Sequence, residues 1–226
     1  AGSNVVATIS RNGDLIHKCY VEVTSTADIS TVKDAHNLIE SIELEIGGQQ
    51  IDKQYGDWMQ IWNELSLSAD KQDGYKDMVT NLDVETAKMY IPLQFFFCTN
   101  PGLALPLIAL QYHEVRIKVK FANIAGLSDA KLWVDYVYLD TDERRRMAQS
   151  SHEFLITQLQ ADSGTSLGDN EASVTTRLNF NHPVKELVWC IDSETLGKTG
   201  TRKALSQTAG SHKLTLNGHE RAAPRE

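Results

Sequence analysis

Hydrophobic alternation with a period of two recurs along this chain and limits its fold more than any other feature. In VRIKVKF (115–121), Val115, Ile117, Val119 and Phe121 share one face while Arg116, Lys118 and Lys120 share the other. Successive side chains of an extended chain point to opposite faces, so the pattern predicts a strand with one buried and one wet face. Ile42, Leu44 and Ile46 alternate with Glu43 and Glu45 in the same way, and Gly47-Gly48 then supplies the positive-φ residues of a hairpin turn. Further strands are predicted at 5–10, 15–23, 89–97, 132–139, 153–160, 173–180, 184–191 and 213–216, with Asn12-Gly13 as a hairpin turn between the first two. About ten short strands with no alternating helices indicate an all-β sandwich or barrel, not a parallel βαβ sheet.

Two helices interrupt the strands. In GDWMQIWNELSL (56–67), Trp58, Ile61, Trp62 and Leu65 fall on one helical face predicted to pack on the sheet, with Asp57 as cap and Gln60 completing a capping box. In DTDERRRMAQSS (140–151), Asp140 or Thr141 caps, and Asp142 and Glu143 complement the positive first turn. This second helix lies between two β-rich regions and is predicted to connect them, which places a domain boundary near Ser150. Two polar stretches, 161–173 and 193–211, are predicted as solvated loops.

Charge and cysteine content narrow the partners. With 22 Lys plus Arg against 30 Asp plus Glu the net charge is −8, which disfavours general binding to a phosphate backbone. Cys19, Cys98 and Cys190 form no C-x-x-C pair and are predicted to be reduced thiols. The first ten residues lack the basic and apolar regions of a signal peptide, and the apolar stretch at 102–110 is interrupted by Pro106 and too short to span a bilayer. A soluble, intracellular product is expected.

No catalytic constellation emerges. His17, His36, His113, His152, His182, His212 and His219 are scattered, with no pair closer than seven positions, so no metal site is expected. There is no G-x-S-x-G elbow, and Cys19 shares parity with Leu15, Val21 and Val23, predicting a buried, inert thiol. Cys98 ends the apolar run FFFC and is expected in the core. Arg144, Arg145 and Arg146 point about 100° apart on a helix, so they are expected in salt links with Asp and Glu of neighbouring segments rather than in one anion site. Catalytic residues, cofactors and metals are therefore all expected to be none.

Longer strings carry more information. RNGDLI (11–16), LEIGGQQID (44–52), YIPLQFFF (90–97), GLALPLIALQYHEV (102–115), WVDYVYLDTDERRRMAQ (133–149) and HEFLITQLQ (152–160) occur in that order, followed by FNHPVKELVW (180–189) and LNGHER (216–221). Together they closely resemble the major capsid protein of nucleocytoplasmic large DNA viruses, the double jelly-roll type. The resemblance implies a first antiparallel jelly roll over 1–150, lacking an N-terminal strand and ending in a connector helix near 142–150, and the opening strands of a second over 151–226. Family members continue well beyond the string matching LNGHER, so the chain is expected to be incomplete.

The resemblance also implies a structural role without catalysis. Chains of this family self-assemble as homotrimers into pseudo-hexagonal capsomers that tile an icosahedral virion shell, formed in the cytoplasm of the infected cell. The expected partners are further copies of the chain, neighbouring capsomers and minor capsid proteins, with no direct nucleic-acid contact and only indirect contact with an inner membrane. The alternatives are a carbohydrate-binding β-sandwich module using loop residues or Trp58 and Trp133, or another non-capsid jelly-roll protein.

Overall fold

A computed structural model describes residues 3–25, 34–80, 87–123, 127–162, 165, 173–189 and 212–225. The chain divides into two compact units, Ala1–Ala161 and Asp162–Glu226. The fold class expected from the sequence is the one found: antiparallel sheets with short helices.

In the first unit β1 (Asn4–Thr8), β7 (Val115–Phe121), β3 (Ile39–Ile46) and β4 (Gln49–Tyr55) form one antiparallel sheet in that order. The second sheet is built on β2 (Leu15–Ser25), with β5 (Ala87–Pro92) and the short β6 (Leu105–Pro106) along one edge and β8 (Leu127–Val137) along the other. Ile42, Leu44, Ile117 and Val119 of the first sheet join Cys19, Val21, Val23, Met89 and Ile91 of the second in one buried cluster. Removing each large apolar side chain of this kind from water contributes about 1.5–3 kcal/mol, which is what holds the two sheets together.

Alternation therefore located β2, β3 and β7 correctly, and Gly47 (φ +59°) and Gly48 (φ +85°) make the expected hairpin between β3 and β4. Asn12-Gly13 does not make a hairpin, because β1 and β2 belong to different sheets and the chain crosses between them. Gly13 has another role: a Cβ there would sit 2.6 Å from Tyr136 Cβ, so glycine allows β8 to approach closely.

The predicted strand 89–97 stops at Pro92, and Phe96–Thr99 forms a short helix, α3 (numbered with α1, α2 and α4 below). Strict alternation buries every second residue, whereas Phe95, Phe96 and Phe97 are all buried, so the chain must turn there. Their rings stack or meet edge-on, with centroids 6.0 Å (Phe95–Phe97) and 5.4 Å (Phe96–Phe97) apart. β4, whose sequence QQIDKQY is mostly polar, carries no apolar alternation to announce it, and the polar helix α2 (Ala69–Val79) carries no sustained apolar face.

Helix α1 (Gly56–Ser66) is where expected, but its cap and its face are not. It begins at Gly56, with Tyr55 at the cap position and no side-chain cap bond, because the Gly56 backbone packs against the carbonyls of His36 and Ile39. Gly56, Met59 and Asn63 form the buried side, while Trp58, Ile61 and Trp62 are half-buried and Leu65 is exposed. Trp58 and Trp62 stack on one another, centroids 5.5 Å apart, instead of entering the core. The connector helix α4 (Thr141–Gln149) is capped by Asp140, whose carboxylate accepts from the Glu143 N–H at 2.9 Å. The compact unit continues past Ser150 to Ala161.

Segments 153–160 and 173–180, and 184–191 as far as Trp189, are not strands among the described residues. Alternation provides two faces, but a strand also needs a neighbouring ladder, and among the described residues none meets them. The second unit holds a hairpin of β9 (His212–Leu216) and β10 (His219–Arg225), turned by Asn217 (φ 50°) and Gly218 (φ 77°). Cys190 and the predicted loop 193–211 lie outside the described residues.

Two glycine substitutions test the packing around α1 and α2. A Cβ at Gly56 would meet His36 O at 2.2 Å and Ile39 O at 2.4 Å, both rigid backbone atoms, whereas one at Gly74 meets nothing within 4 Å. Gly56→Ala should lower unfolding free energy by about 2–3 kcal/mol, and Gly74→Ala should raise it by about 0.5–1 kcal/mol. Urea denaturation of both variants checks the opposite signs.

Candidate functional site: buried polar centres and exposed faces

The most catalytic-looking arrangement in the first unit is one that sequence spacing did not bring together. The Asp34 carboxylate contacts His36 Nδ1 at 2.6 Å, His36 Nε2 meets Tyr75 Oη at 2.6 Å, and Asn63 Nδ2 donates to the same hydroxyl at 2.7 Å. His36 sits on the 3-10 turn Ala35–Leu38, Asn63 on α1 and Tyr75 on α2, so the row joins three elements. An acid–His–hydroxyl row suits nucleophile activation only if the hydroxyl ionises readily and faces substrate. Burial, reinforced by the Asp34 charge, instead pushes the Tyr75 phenol well above its ordinary 10.0. Both imidazole nitrogens are engaged, His36 is 2% exposed, and neither cavity described below is lined by this row. Its work is bracing.

The row continues. Gln94 Nε2 donates to Asn63 Oδ1 (3.0 Å), Gln54 Nε2 donates to both Gln94 O (2.9 Å) and Asp52 Oδ2 (2.8 Å), and Asp52 Oδ1 accepts from Leu159 N–H (3.0 Å). One polar network thus runs from α2 to the segment that follows the connector.

A second centre gathers the strings that carried the family resemblance. Arg11 donates to the carbonyls of Leu110 (2.6 Å), Gln111 and His113 (3.2 Å), and Tyr136 Oη donates to Ser10 O (2.6 Å). The buried Asp14 carboxylate receives Arg144 Nε (2.9 Å) and Leu139 N–H (2.8 Å). RNGDLI is therefore the meeting point of GLALPLIALQYHEV and WVDYVYLDTDERRRMAQ.

Other expected site residues fall where packing sends them. Cys19 is buried beside the half-buried Cys98, and that neighbour together with burial pushes its thiol far up, which keeps it unreactive. His17 Nδ1 meets Phe97 O at 3.0 Å and His152 Nε2 meets Met147 O at 2.7 Å. No group of three His, Cys, Asp or Glu suited to a metal occurs among the described residues. Arg144 is paired with Asp14 of a neighbouring segment, whereas Arg145 lies 3.9 Å from Asp142 of its own helix.

The exposed faces are mixed rather than focused. The cations of β7 are matched to carboxylates, Lys118 and Arg116 to Glu45 and Lys120 to Glu40. Edge strand β1 exposes Val5 (46%) and Val6 (55%), which point to opposite faces. Trp133 is 53% exposed on the outer face of β8, its Nε1 donating to the buried Glu22 at 2.7 Å. A largely apolar cavity of about 440 Å³ includes Ile51, Phe96, Leu105, Leu110, Phe154 and Ile156 in its lining, and a second of about 300 Å³ lies beside Asp14 and Arg144. Apolar area scattered over several faces suits contact with other polypeptides more than capture of one small molecule.

Comparison with known proteins gives a consistent result. Residues 1–140 match the family described as major capsid protein N-terminus, and residues 143–226 match that described as large eukaryotic DNA virus major capsid protein. The major capsid protein of Pyramimonas orientalis virus is 50% identical over 248 residues, which cover 99% of this chain, and that of Paramecium bursaria Chlorella virus 1 is 38% identical across 100% of it. The chain spans 60% and 64% of the length of these relatives. A chain of the quasi-atomic model of the PBCV-1 virus capsid superposes with a TM-score of 0.82 at 36% identity, covering 100% of this chain and 67% of that one.

Two substitutions test the bracing role. Tyr75→Phe leaves His36 Nε2 and Asn63 Nδ2 without their shared partner, and should cost about 1–3 kcal/mol in chemical denaturation. Burial, the largest influence, raises the Asp52 carboxyl above its ordinary 3.8 against the hydrogen bonds from Leu159, Gln54 and Lys53. The folded state then holds that proton more tightly than the unfolded state. The resulting stability is complete below 3.8 and is lost as pH rises through the raised value. The Tm of Asp52→Asn minus that of wild type should therefore increase with pH above about 4 and then level off; parallel Tm profiles would contradict this.

Proposed function

The chain belongs to the major capsid proteins of large eukaryotic DNA viruses, and from that premise we propose that it builds the icosahedral shell of such a virus. In this proposal residues 1–150 are the first jelly roll with its connector and residues 151–226 begin the second. Three copies of the whole protein form a pseudo-hexagonal capsomer, which contacts neighbouring capsomers and minor capsid proteins. Assembly takes place in the cytoplasm of the infected cell, and the genome and any inner membrane are not contacted directly.

The observation that carries this proposal is that likeness to capsid chains runs through both units, not through one sheet or one motif. The surfaces support it. Paired charges on the outer face of the first sheet keep that face soluble, while Val5, Val6, Trp133 and Leu155 offer apolar contact in several directions. A shell closes through many modest contacts repeated by symmetry, so a subunit needs several such faces rather than one deep site. No chemical step is required.

Quantitative mass spectrometry of purified particles tests the proposal. The polypeptide should be among their most abundant proteins, in a constant ratio across preparations. A trace amount, in particles whose capsomers are built from a different polypeptide, would overturn it.

A further inference from the structure

Two buried carboxylates meet residues 139–160, the connector helix and the segment that follows it, at their two ends. Asp14 lies just before β2, and its main chain is fixed on both sides, donating to Val137 O (3.1 Å) and accepting from Ile108 N–H (3.2 Å). Its side chain, 7% exposed, takes Leu139 N–H at the start of the connector and Arg144 from the second turn of α4. Asp52, 3% exposed on β4, takes Leu159 N–H at the far end, and there Gln158 also donates to Ile51 O. Between these points His152 bonds Met147 O, so the segment after α4 is tied back to the helix. Asp14 immediately precedes β2 of one sheet, and Asp52 lies on β4 of the other.

We propose that Asp14 and Asp52 are positioning residues that clamp residues 139–160 onto the sandwich, so that the chain leaves the first unit from a fixed point and not through a free hinge. The physical reason is the cost of an unpartnered buried charge. If the connector lifted away, Asp14 would lose its cation and an amide donor, and Asp52 would lose one of its amide donors, so each buried carboxylate would give up partners that offset the cost of its enclosure. Release is therefore opposed at both ends. The Asp52 end is also wired through Gln54 and Gln94 to α1 and α2, so movement of Leu159 is resisted by the helices.

Hydrogen exchange on the full chain tests the clamp, using Arg144→Gln, Asp14→Asn, Asp52→Ala and Asp52→Asn. Arg144 is 56% exposed, so its substitution leaves the fold intact and keeps the test decisive. Arg144→Gln and Asp14→Asn should speed exchange of α4 amides by about tenfold or more while those of β3 and β7 keep their rates. Asp52→Ala should do the same for 153–160, and Asp52→Asn, which retains an acceptor, should largely restore protection. Unchanged α4 exchange in Arg144→Gln, or equal acceleration in α4, β3 and β7, would overturn the proposal.

Discussion

A carboxylate enclosed in a protein must be met by donors, and this structure is organised by four that are. Among the described residues Asp14, Glu22, Glu45 and Asp52 are the buried acids, and each ties its own segment to another. Glu22 on β2 takes the indole of Trp133 on β8, and Glu45 on β3 takes Lys118 and Arg116 on β7. Asp14 and Asp52 hold the connector. Apolar burial between the sheets provides most of the stabilising energy but little direction. The buried acids supply direction, because each accepts from donors fixed on one particular segment.

The Asp34–His36–Tyr75–Asn63 row follows the same logic. Taken by residue type alone it resembles a catalytic relay. Its geometry makes it a joint between a 3-10 turn and two helices, with a phenol held in its neutral form. Together with Gln94, Gln54 and Asp52 it stiffens the sandwich from the helices to the connector.

Much of the fold was legible in the sequence because alternation reports which faces are buried. It located β2, β3 and β7, and Gly47-Gly48 announced the one hairpin that the alternation bounded. It failed where a tertiary partner decided the outcome. Asn12-Gly13 has the composition of a hairpin turn, yet its glycine serves the approach of Tyr136 from β8. Trp58 and Trp62 have the spacing of a core face, yet the close approach of Gly56 to His36 and Ile39 rotates Met59 and Asn63 inward instead. Segments 153–160 and 173–180 have strand patterns but no described ladder beside them. The polar centres were invisible for the same reason: nothing local to Asp14 names Arg144, and nothing local to His36 names Tyr75. The long strings marked the family without revealing that RNGDLI is where three of them meet.

A reconstruction of purified particles by cryo-electron microscopy, at a resolution that shows side chains, tests the central claim most directly. The expected result is pseudo-hexagonal capsomers whose density accepts the β1–β7–β3–β4 sheet in its register, Val5 opposite Val119 and Leu44 opposite Ile117, with Arg144 density joined to Asp14. Capsomer density that fits a different polypeptide, or that cannot hold this two-sheet sandwich, would contradict it.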